Sequence, residues 1–342
     1  MAKVTIQSMA RDLGLSRNTV SMALKGNSLV TKQTRDTVLR YAVKVGYLAR
    51  LPEALESEKA RLETEKEHRI IIIRKTDEAF YWDRVLNGIT EEASRYNCRT
   101  QVAVVTEEEE KAGIYPPGLD EKIEAVIFLK LPGREYVSRI KKSGYRIFML
   151  DDFCENGPEP LGDVVRVNGR SGVYALTMHL ISRGMRRIGF LNENSHIYET
   201  MYDRYAGYLD AMAEAGLPPE TELMVPDGQS DYFYTNETFD ALVAGCRNLP
   251  EAVVCGNDAI ALMLTHALRR RGLRVPEDIA VTGFDNDETG KIDPFFTTVQ
   301  TDVKWLGRRV VQSFLWRLKY PDAPYEKVLV HGVPVYRASS MR

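Results

Sequence analysis

Residues 13–24, Leu-Gly-Leu-Ser-Arg-Asn-Thr-Val-Ser-Met-Ala-Leu, decide how the first part of the chain folds. Gly14 suits a sharp turn, because a residue without a Cβ adopts the left-handed backbone conformation at low cost. Ser16 can then cap a helix, since its hydroxyl accepts a hydrogen bond from an otherwise free amide. Apolar residues at helical spacing predict one helix before this turn and another after it. These residues are Ile6, Met9, Ala10 and Leu13, followed by Val20, Ala23 and Leu24.

The second predicted helix has a polar face that begins in its first turn. The residues predicted to point away from the core are Arg17, Asn18, Ser21 and Met22. Two short helices joined in this way form a helix-turn-helix, in which the start of the second helix reads the major groove of DNA. The alternative is an ordinary helical hairpin with a polar face.

Charge is distributed unevenly along the chain. Residues 1–50 contain nine basic and two acidic side chains, a net charge of +7, whereas the whole chain carries −2. The remainder therefore carries −9. A small basic segment on an acidic body is expected when only that segment contacts phosphates, so the charge favours DNA binding by the helix-turn-helix.

A third helix follows, with Thr31 as its cap and Gly46 at its end. Its predicted buried face is Val38, Leu39, Ala42 and Val45. Together, the three helices resemble the DNA-binding head of the lactose-repressor (LacI/GalR) family of bacterial transcription regulators. The resemblance is carried by Val4-Thr5-Ile6, Ala10, Gly14-Leu15-Ser16, Thr19-Val20-Ser21, Leu24, Gly26, Val30, Thr34-Arg35, Val38, Leu39 and Gly46-Tyr47.

The resemblance implies a set of DNA contacts. Arg17, Asn18 and Met22 would face base edges. The backbone phosphates would be held mainly by Thr5, Ser16, Thr19, Ser21, Asn27, Thr34 and Arg35. The family often has arginine at the place of Met22, and methionine cannot make the two-pronged contact that arginine makes to guanine. The usual operator half-site is therefore not expected to carry over unchanged.

Residues 51–67 connect the head to the rest of the chain and read as an acidic, helical linker. In the family this region is a short hinge helix that inserts a leucine into the minor groove, a role that the resemblance gives to Leu55. The chain departs from the family at Glu53 and Glu56, where small or apolar residues are usual, and acidic groups near phosphates weaken binding. The alternatives are a solvated linker, or a longer helix that pairs with its dimer mate through Leu55 and Leu62.

From residue 68 onward, apolar strands alternate with amphipathic helices. Strands are predicted at 70–74, 100–105, 125–129, 147–150, 187–191, 252–255 and 279–282, and helices at 82–96, 171–182, 203–215 and 259–271. Alternation of this kind predicts an α/β body of parallel sheets with helices on both faces. The acidic stretch 107–118, which contains a Pro-Pro pair, is predicted to be a loop.

The family resemblance continues through the second half of the chain. It is carried by His179 to Phe190, Arg204, Gly207-Tyr208, Ala215 to Pro218, Asn257-Asp258, Ala261-Leu262, Arg271 to Ile279, Gly283-Phe284-Asp285 and Thr297-Thr298-Val299. It implies a body similar to periplasmic binding proteins, with two doubly wound lobes, three crossovers and a ligand cleft between them. The expected boundaries are a helix-turn-helix head at 1–50, a linker at 51–67 and an effector-binding and dimerisation body at 68–342. Lobe one is expected at about 68–166 plus 296–325, and lobe two at about 167–293 plus 326–342.

Polar residues follow several predicted strands, at the edge where open parallel sheets bind ligands. Asp, Asn and Arg side chains make two-pronged contacts to adjacent sugar hydroxyls, and aromatic rings cover the C–H face of a sugar. By family position, the predicted ligand-binding residues are Arg204, Asp285 and Asn257, followed by Asp151, Phe233, Tyr81 and Trp82.

Several of the polar and aromatic residues have a structural alternative. Asp258 is expected to cap the helix that follows it rather than bind a ligand. Asp285 could be a turn residue, and Arg204 could be a surface charge. Phe295 and Phe296 could belong to a core between the lobes.

Neither a metal site nor a membrane segment is expected. The four cysteines, which are predicted to be reduced thiols without zinc or another cofactor, are Cys98, Cys154, Cys246 and Cys255. No apolar signal region follows Met1, and the longest aliphatic run, 70–73, is too short to cross a bilayer. A cytoplasmic protein is therefore expected.

Together, the residues and the resemblance predict a homodimeric transcription regulator, in the first instance a repressor, whose affinity for operator DNA is controlled by a small molecule. A carbohydrate is the expected effector, and a nucleoside or purine is the alternative. A sugar receptor for transport would have no use for the DNA-reading head. An enzyme is not expected, because no phosphate-binding glycine loop or nucleophile elbow occurs, and the paired carboxylates of Asp151-Asp152 need not face one substrate bond.

Overall fold

The computed structural model describes residues 4–27, 29–45, 47, 67–75, 80–154, 159–192, 198–220, 235–287 and 294–342. The chain divides into two compact units. One comprises Met1–His68 with Ser94–Arg99, and the other comprises Arg69–Ala93 with Thr100–Arg342. The hinge candidate Leu55 and the predicted ligand residue Phe233 lie outside the described residues.

Three helices form the head: α1 (Ile6–Leu13), α2 (Arg17–Leu24) and α3 (Lys32–Lys44). Gly14 follows α1 in the left-handed conformation, with a φ of 64°. Ser16 caps α2, because its hydroxyl accepts the amide of Thr19 over 3.0 Å. These features confirm the predicted helix-turn-helix. The core of the head consists of Met9, Ala10, Val20, Ala23, Leu24, Val30, Val38, Leu39 and Ala42.

The body alternates strands and helices, as predicted. In chain order its elements are β1 (His68–Lys75), α4 (Phe80–Arg95), β2 (Cys98–Val105), α5 (Glu107–Ala112), β3 (Ala125–Phe128), α6 (Arg134–Lys142), β4 (Arg146–Met149), β5 (Asp163–Val167), α7 (Gly169–Ser182), β6 (Ile188–Leu191), α8 (Glu199–Glu214), α9 (Asn236–Gly245), β7 (Ala252–Cys255), α10 (Asp258–Arg270), β8 (Ala280–Thr282), β9 (Thr298–Gln300), α11 (Val303–Lys319), β10 (Lys327–Val330) and β11 (Val333–Val335). Among the described residues, no helix combines the length and the apolar character that crossing a membrane requires.

Two parallel sheets divide the body into two lobes. The sheet of the first lobe has the strand order β10-β5-β4-β3-β1-β2, and the sheet of the second has the order β6-β7-β8. The second lobe also contains the antiparallel pair β11-β9, which a bridge between Thr282 and Thr297 connects to β8. The strands β3, β6 and β7 are apolar and buried along their whole length rather than alternating, since helices cover both faces of a parallel sheet. This architecture confirms the predicted fold, which resembles that of periplasmic binding proteins.

The described chain crosses between the lobes between β5 and α7, between β9 and α11, and between β10 and β11. The boundaries expected near 296 and 326 are wrong by a few residues. The reason is strand pairing: β9 pairs with β11 in the second lobe, and β10 pairs with β5 in the first. These strands are too short for their apolar pattern to show which sheet they join.

The acidic stretch after Val105 forms a helix, α5, where the sequence predicted a loop. The Thr106 hydroxyl accepts the amide of Glu109 over 3.2 Å, and the Glu109 carboxylate accepts the amide of Thr106 over 2.9 Å. This reciprocal capping and the acidic first turn both stabilise a helix N-terminus. The Pro-Pro pair that suggested a loop lies beyond Gly113, where the helix ends.

Helices α4 and α11 pack backbone against backbone at two glycines. A Cβ on Gly88 would lie 2.2 Å from the carbonyl oxygen of Lys304, and a Cβ on Gly307 would lie 2.2 Å from the carbonyl oxygen of Val85. The two helices can approach this closely only because neither position carries a side chain. Glu91 of α4 adds ion pairs across the same contact, to Lys304 at 3.2 Å and to Arg308 at 3.0 Å.

Gly307→Ala is expected to lower the free energy of unfolding of the body by about 1–3 kcal/mol, because the added methyl group forces the helices apart. Gly245→Ala is the matched control. Gly245 ends α9, and a Cβ there meets nothing within 4 Å, so this change is neutral or adds up to about 1 kcal/mol. Urea denaturation followed by circular dichroism measures both variants, and equal effects would contradict the close packing.

Candidate ligand cleft and DNA-reading surface

Arg204 of α8 lies at the centre of the candidate cleft and is only 2% exposed. Its guanidinium donates to the carbonyl oxygen of Gly256 at 2.5 Å and to the Asp285 carboxylate at 3.2 Å. It also stacks on the ring of Phe284, 4.0 Å from the ring centroid. Arg204 is therefore no surface charge, and it links the loops that follow β7 and β8.

Asp285 follows β8 in an unusual backbone conformation. Its φ of 94° is positive, which residues other than glycine rarely adopt. Its amide donates to the carbonyl of Val299 over 2.9 Å. Burial raises the pKa of its carboxyl group, and the neighbouring charge of Arg204 opposes that rise. Backbone strain persists where surrounding contacts impose it, as they often do in binding sites.

Asn257, rather than Asp258, caps α10. The Asn257 side chain accepts the amide of Ile260 over 2.8 Å. Asp258 is the first residue of the helix, is 5% exposed, and accepts hydrogen bonds from the Asp287 amide and the Thr298 hydroxyl, each over 2.8 Å. The prediction that Asp258 caps the helix is therefore wrong. Burial raises the pKa of Asp258 to about 7, because it outweighs these two hydrogen bonds.

Tyr81 and Trp82 lie in the first turn of α4, which belongs to the first lobe. Their rings meet edge to face with centroids 5.0 Å apart, and both residues are partly exposed. Burial raises the pKa of the Tyr81 hydroxyl, the charge of Asp285 raises it further, and the charge of Arg204 lowers it. Arg84 of the same helix lies 3.6 Å from Asp287, so the start of α4 in the first lobe faces the loop after β8 in the second.

Asp151, after β4, joins the first lobe to the start of α8. Its Oδ1 accepts the Thr200 hydroxyl over 2.7 Å, the Thr200 amide over 3.0 Å and the Asp152 amide over 2.8 Å. Burial raises the pKa of Asp151 to about 6, while these hydrogen bonds and the charge of Arg166 oppose the rise. The predicted ligand residue Asp151 thus holds the two lobes together.

Ion pairs surround this junction. Arg166 of β5 contacts Asp203 at 2.6 Å and Glu199 at 3.1 Å, both on α8. Lys327 of β10 contacts Glu199 at 2.8 Å and Asp152 at 2.7 Å. The first turns of α8 are therefore tied to the first lobe. We refer to the contacts of Glu199, Thr200 and Asp203 with Asp151, Arg166 and Lys327 as the α8 clamp.

The sequence alone does not single out several residues of this region. Phe284 and Asp287 lie next to or near Asp285 in the run Gly-Phe-Asp-Asn-Asp, and this closeness in sequence could have identified them. Arg166 and Lys327 carry no such signal, because their partners lie far away along the chain. Phe295 and Phe296 belong to the core of the second lobe, and not to a core between the lobes.

In the head, Arg17 and Asn18 are exposed in the first turn of α2, and Ser21 is partly exposed. Met22 instead packs against the core of the head. The prediction that it points away from the core is therefore wrong, because a flexible apolar side chain at the edge of a helix folds back over neighbouring apolar groups.

The phosphate-contact candidates of the head mostly make local hydrogen bonds. Thr5 caps α1 by accepting the amide of Ser8 over 3.1 Å, as Ser16 caps α2. Arg35 donates to the carbonyl oxygen of Asn27 over 3.0 Å and so fixes the loop between α2 and α3. The hydroxyls of Thr19 and Thr34 lie within hydrogen-bond distance of Ser16 and Thr31, respectively.

The raised pKa of Asp151 makes the stability of the body depend on pH. The folded protein holds a proton on Asp151 up to a pH of about 6, whereas the unfolded chain releases it near the ordinary value of 3.8. The stability that this group contributes is fully present below about pH 4 and is lost, by about 1–3 kcal/mol, as the pH rises through the folded pKa.

Asp151→Asn tests this dependence, because asparagine keeps an oxygen for the three hydrogen bonds but does not ionise. The variant is expected to match wild type in acid and to be more stable at about pH 8. Asp240→Asn is the control, since Asp240 pairs with Arg270 on the surface. Urea denaturation at a series of pH values measures all three proteins, and a wild-type pH profile in Asp151→Asn would refute the assignment.

A family model described as a periplasmic binding protein-like domain matches residues 177–340. The HTH-type transcriptional repressor PurR of Mannheimia succiniciproducens is 26% identical over 339 residues, which cover 98% of each chain. The repressor of the same name from Photobacterium profundum is 27% identical over 324 residues, which cover 92% of each chain.

Solved structures share the fold. The transcriptional regulator CelR in complex with cellobiose gives a TM-score of 0.67 at 21% identity and covers 98% of this chain and 100% of that one. The lac repressor dimer bound to operator and the anti-inducer ONPF gives 0.66 at 21% identity and covers 99% of both chains. The similarity to repressors spans head and body together, and the chain resembles the lactose-repressor (LacI/GalR) family of transcriptional regulators.

Proposed function

We propose that this protein represses transcription by binding operator DNA as a homodimer, and that a small molecule held between its lobes sets its affinity for DNA. One observation carries the proposal. The chain combines a helix-turn-helix with a body in which Arg84 of one lobe lies 3.6 Å from Asp287 of the other, two residues after the Asp285 that pairs with Arg204. The first part contacts DNA, and the second provides a ligand site whose two walls can move relative to each other.

The chemistry of the head supports sequence-specific binding. The exposed Arg17 can donate two parallel hydrogen bonds to guanine, and the exposed Asn18 can bind adenine in a similar way. Uncompensated basic charge around them attracts the phosphate backbone. A two-fold dimer would present two such heads to a near-palindromic operator.

A sugar or sugar derivative is the proposed effector. The planar carboxylate of Asp285 and the ring of Tyr81 supply the two kinds of contact that a sugar needs, a polar one for hydroxyls and an apolar one for its C–H face. Solved structures of the same fold contain cellobiose, ribose or sucrose. The name PurR of the curated relatives supports a purine or nucleoside as the second candidate.

The α8 clamp suggests how the ligand acts on DNA binding. Arg204 lies one helical turn after Thr200, so a ligand at Arg204 contacts the helix whose start is held by the first lobe. A ligand that prefers one arrangement of the lobes shifts the protein towards it, by no more than the ratio of its affinities for the two arrangements. The same shift would change the spacing of the heads in a dimer.

Binding, and not turnover, fits the carboxylates of the cleft. Asp285 is paired with Arg204, and both oxygens of Asp258 accept hydrogen bonds from Thr298 and Asp287. A general acid or base must exchange its proton with the substrate, and these groups are engaged in holding loops together. We therefore propose that the protein is not an enzyme.

Arg17→Ala is expected to weaken operator binding by about 1–3 kcal/mol and to relax the base preference at one position of each half-site. Arg11→Ala is the matched control, because it removes one exposed arginine of the same head outside α2. It is expected to reduce affinity for all sequences alike. Fluorescence anisotropy with randomised and selected operators at two salt concentrations separates the two effects. Unchanged base preference in Arg17→Ala would exclude it from the reading surface.

A stability screen against free sugars, nucleosides and purine bases identifies the effector class, since a ligand at a hundred times its Kd adds about 2.7 kcal/mol to the free energy of unfolding. Tyr81→Ala is expected to weaken a hit at least about tenfold, which corresponds to about 1.4 kcal/mol. Tyr320→Ala, which removes an exposed tyrosine at the end of α11, is the control. If a purine stabilises the protein and no sugar does, the carbohydrate proposal is wrong. If Tyr81→Ala does not weaken binding of the stabilising ligand, the ligand does not bind at Tyr81.

A further inference from the structure

The two guanidinium groups described at the cleft each have a carboxylate partner. Arg204 lies 3.2 Å from Asp285, and Arg84 lies 3.6 Å from the Oδ1 of Asp287. Arg204 is further occupied by the carbonyl oxygen of Gly256. Phosphate recognition relies on a cation whose charge is not already compensated. Neither arginine offers such a charge.

Carboxylates outnumber these two cations around the cleft. Burial is the main cause that raises the pKa of Asp151, Asp258, Asp285 and Asp287. For Asp258, the charges of Asp285 and Asp287 raise the pKa further. An anionic ligand would add to this repulsion, whereas a neutral ligand would leave it unchanged and a cationic ligand would relieve it.

Unsatisfied acceptors also point to a ligand that donates hydrogen bonds. Among the described residues, the buried Oδ1 atoms of Asp287 and Asn192 accept no hydrogen bond, and the Nε of Arg204 donates none. Asn192 follows β6, is 7% exposed, and lies so close to Gly256 that a Cβ there would be 1.9 Å from its Oδ1. Buried polar atoms generally have a hydrogen-bond partner. Hydroxyl or amino groups of a ligand could donate to the two oxygen atoms, those of Asp287 and Asn192.

The surroundings of the cleft do not reverse this balance. Arg166 and Lys327 are paired with acidic residues in the α8 clamp.

We propose that the cleft selects its ligand by charge: it accepts a hydroxyl-rich molecule that is uncharged or carries an amino group, and it rejects phosphorylated and carboxylated forms. The inference rests on the proposed function, because it concerns the same cleft. It admits free sugars, amino sugars and nucleosides, and it excludes sugar phosphates and nucleotides. The Arg84–Asp287 pair is the specificity element, since Asp287 cancels the charge that would otherwise attract a phosphate.

Inorganic phosphate is the probe for this exclusion. Thermal unfolding of the full-length wild-type protein is recorded with increasing phosphate and with sodium chloride at the same ionic strength. No saturable rise of Tm with phosphate over chloride is expected. A saturable rise that Arg84→Gln abolishes would overturn the proposal, because it would show an available cation in the cleft.

Asp287→Asn tests the pairing itself, because it removes the charge while keeping the shape and the amide that bonds to Asp258. The variant is expected to bind phosphate at least about tenfold more tightly than wild type, once Arg84 is uncompensated. Asp240→Asn, which frees Arg270 from a comparable surface pair, is the matched control and is expected to gain nothing. An Asp287→Asn protein that melts cooperatively but gains no phosphate binding, or an equal gain in the control, would overturn the proposal.

Operator binding, measured on the same preparations, separates this proposal from the proposed function. If the wild-type protein shows no specific operator binding while phosphate behaves as expected, the repressor function is refuted and the charge selectivity is retained. Once the screen yields an effector, its phosphorylated form is expected to bind at least about tenfold more weakly. Equal or tighter binding of the phosphorylated form would overturn the charge selectivity while leaving the repressor in place.

Discussion

The buried guanidinium of Arg204 is the constraint on which the cleft depends. A charge that is 2% exposed is tolerated only with partners, since burying it alone would cost several kcal/mol. Its partners are the carbonyl of Gly256, the ring of Phe284 and the carboxylate of Asp285. These groups follow two neighbouring strands, so one side chain fixes both loops. Asp285 has its positive φ within this set of contacts.

The position of Arg204 on α8 connects this site to the interface between the lobes. The helix starts with Glu199 and Thr200, which bind Lys327 and Asp151 of the first lobe, and Arg204 follows in the next turn. A rigid helix transmits a displacement at one turn to the next. Under the proposed function, a ligand that reorients Arg204 would therefore act on the clamp, and opening of the clamp would act on the ligand site to the same extent, because coupling between two equilibria is reciprocal.

Local patterns in the sequence predict local structure well, and long-range pairing poorly. Gly14 and Ser16 predict the turn of the head because a left-handed turn and a helix cap depend on few neighbours. Asn257 and Asp258 are both good caps, so their order could not be decided until Asp258 had met Thr298 and the Asp287 amide. The long-range ion pairs, such as Arg166 with the acidic residues of α8, follow from the fold alone. The residues of the candidate cleft could be predicted from the ends of the strands and from the family resemblance. The balance of charges in the cleft could not be predicted, because it depends on which side chains pair in the folded protein.

Charge balance then separates the two binding surfaces of the protein. The head carries a net charge of +7 over residues 1–50, and Arg17 is exposed there, so phosphates are attracted to it. In the body, which is acidic overall, Asp285 and Asp287 neutralise Arg204 and Arg84. A cleft with an uncompensated guanidinium would compete for the same phosphodiester groups and for any small phosphate in solution. Under the proposed charge selectivity, the pairing of these arginines leaves phosphate recognition to the head and reserves the cleft for ligands recognised by their hydroxyl groups.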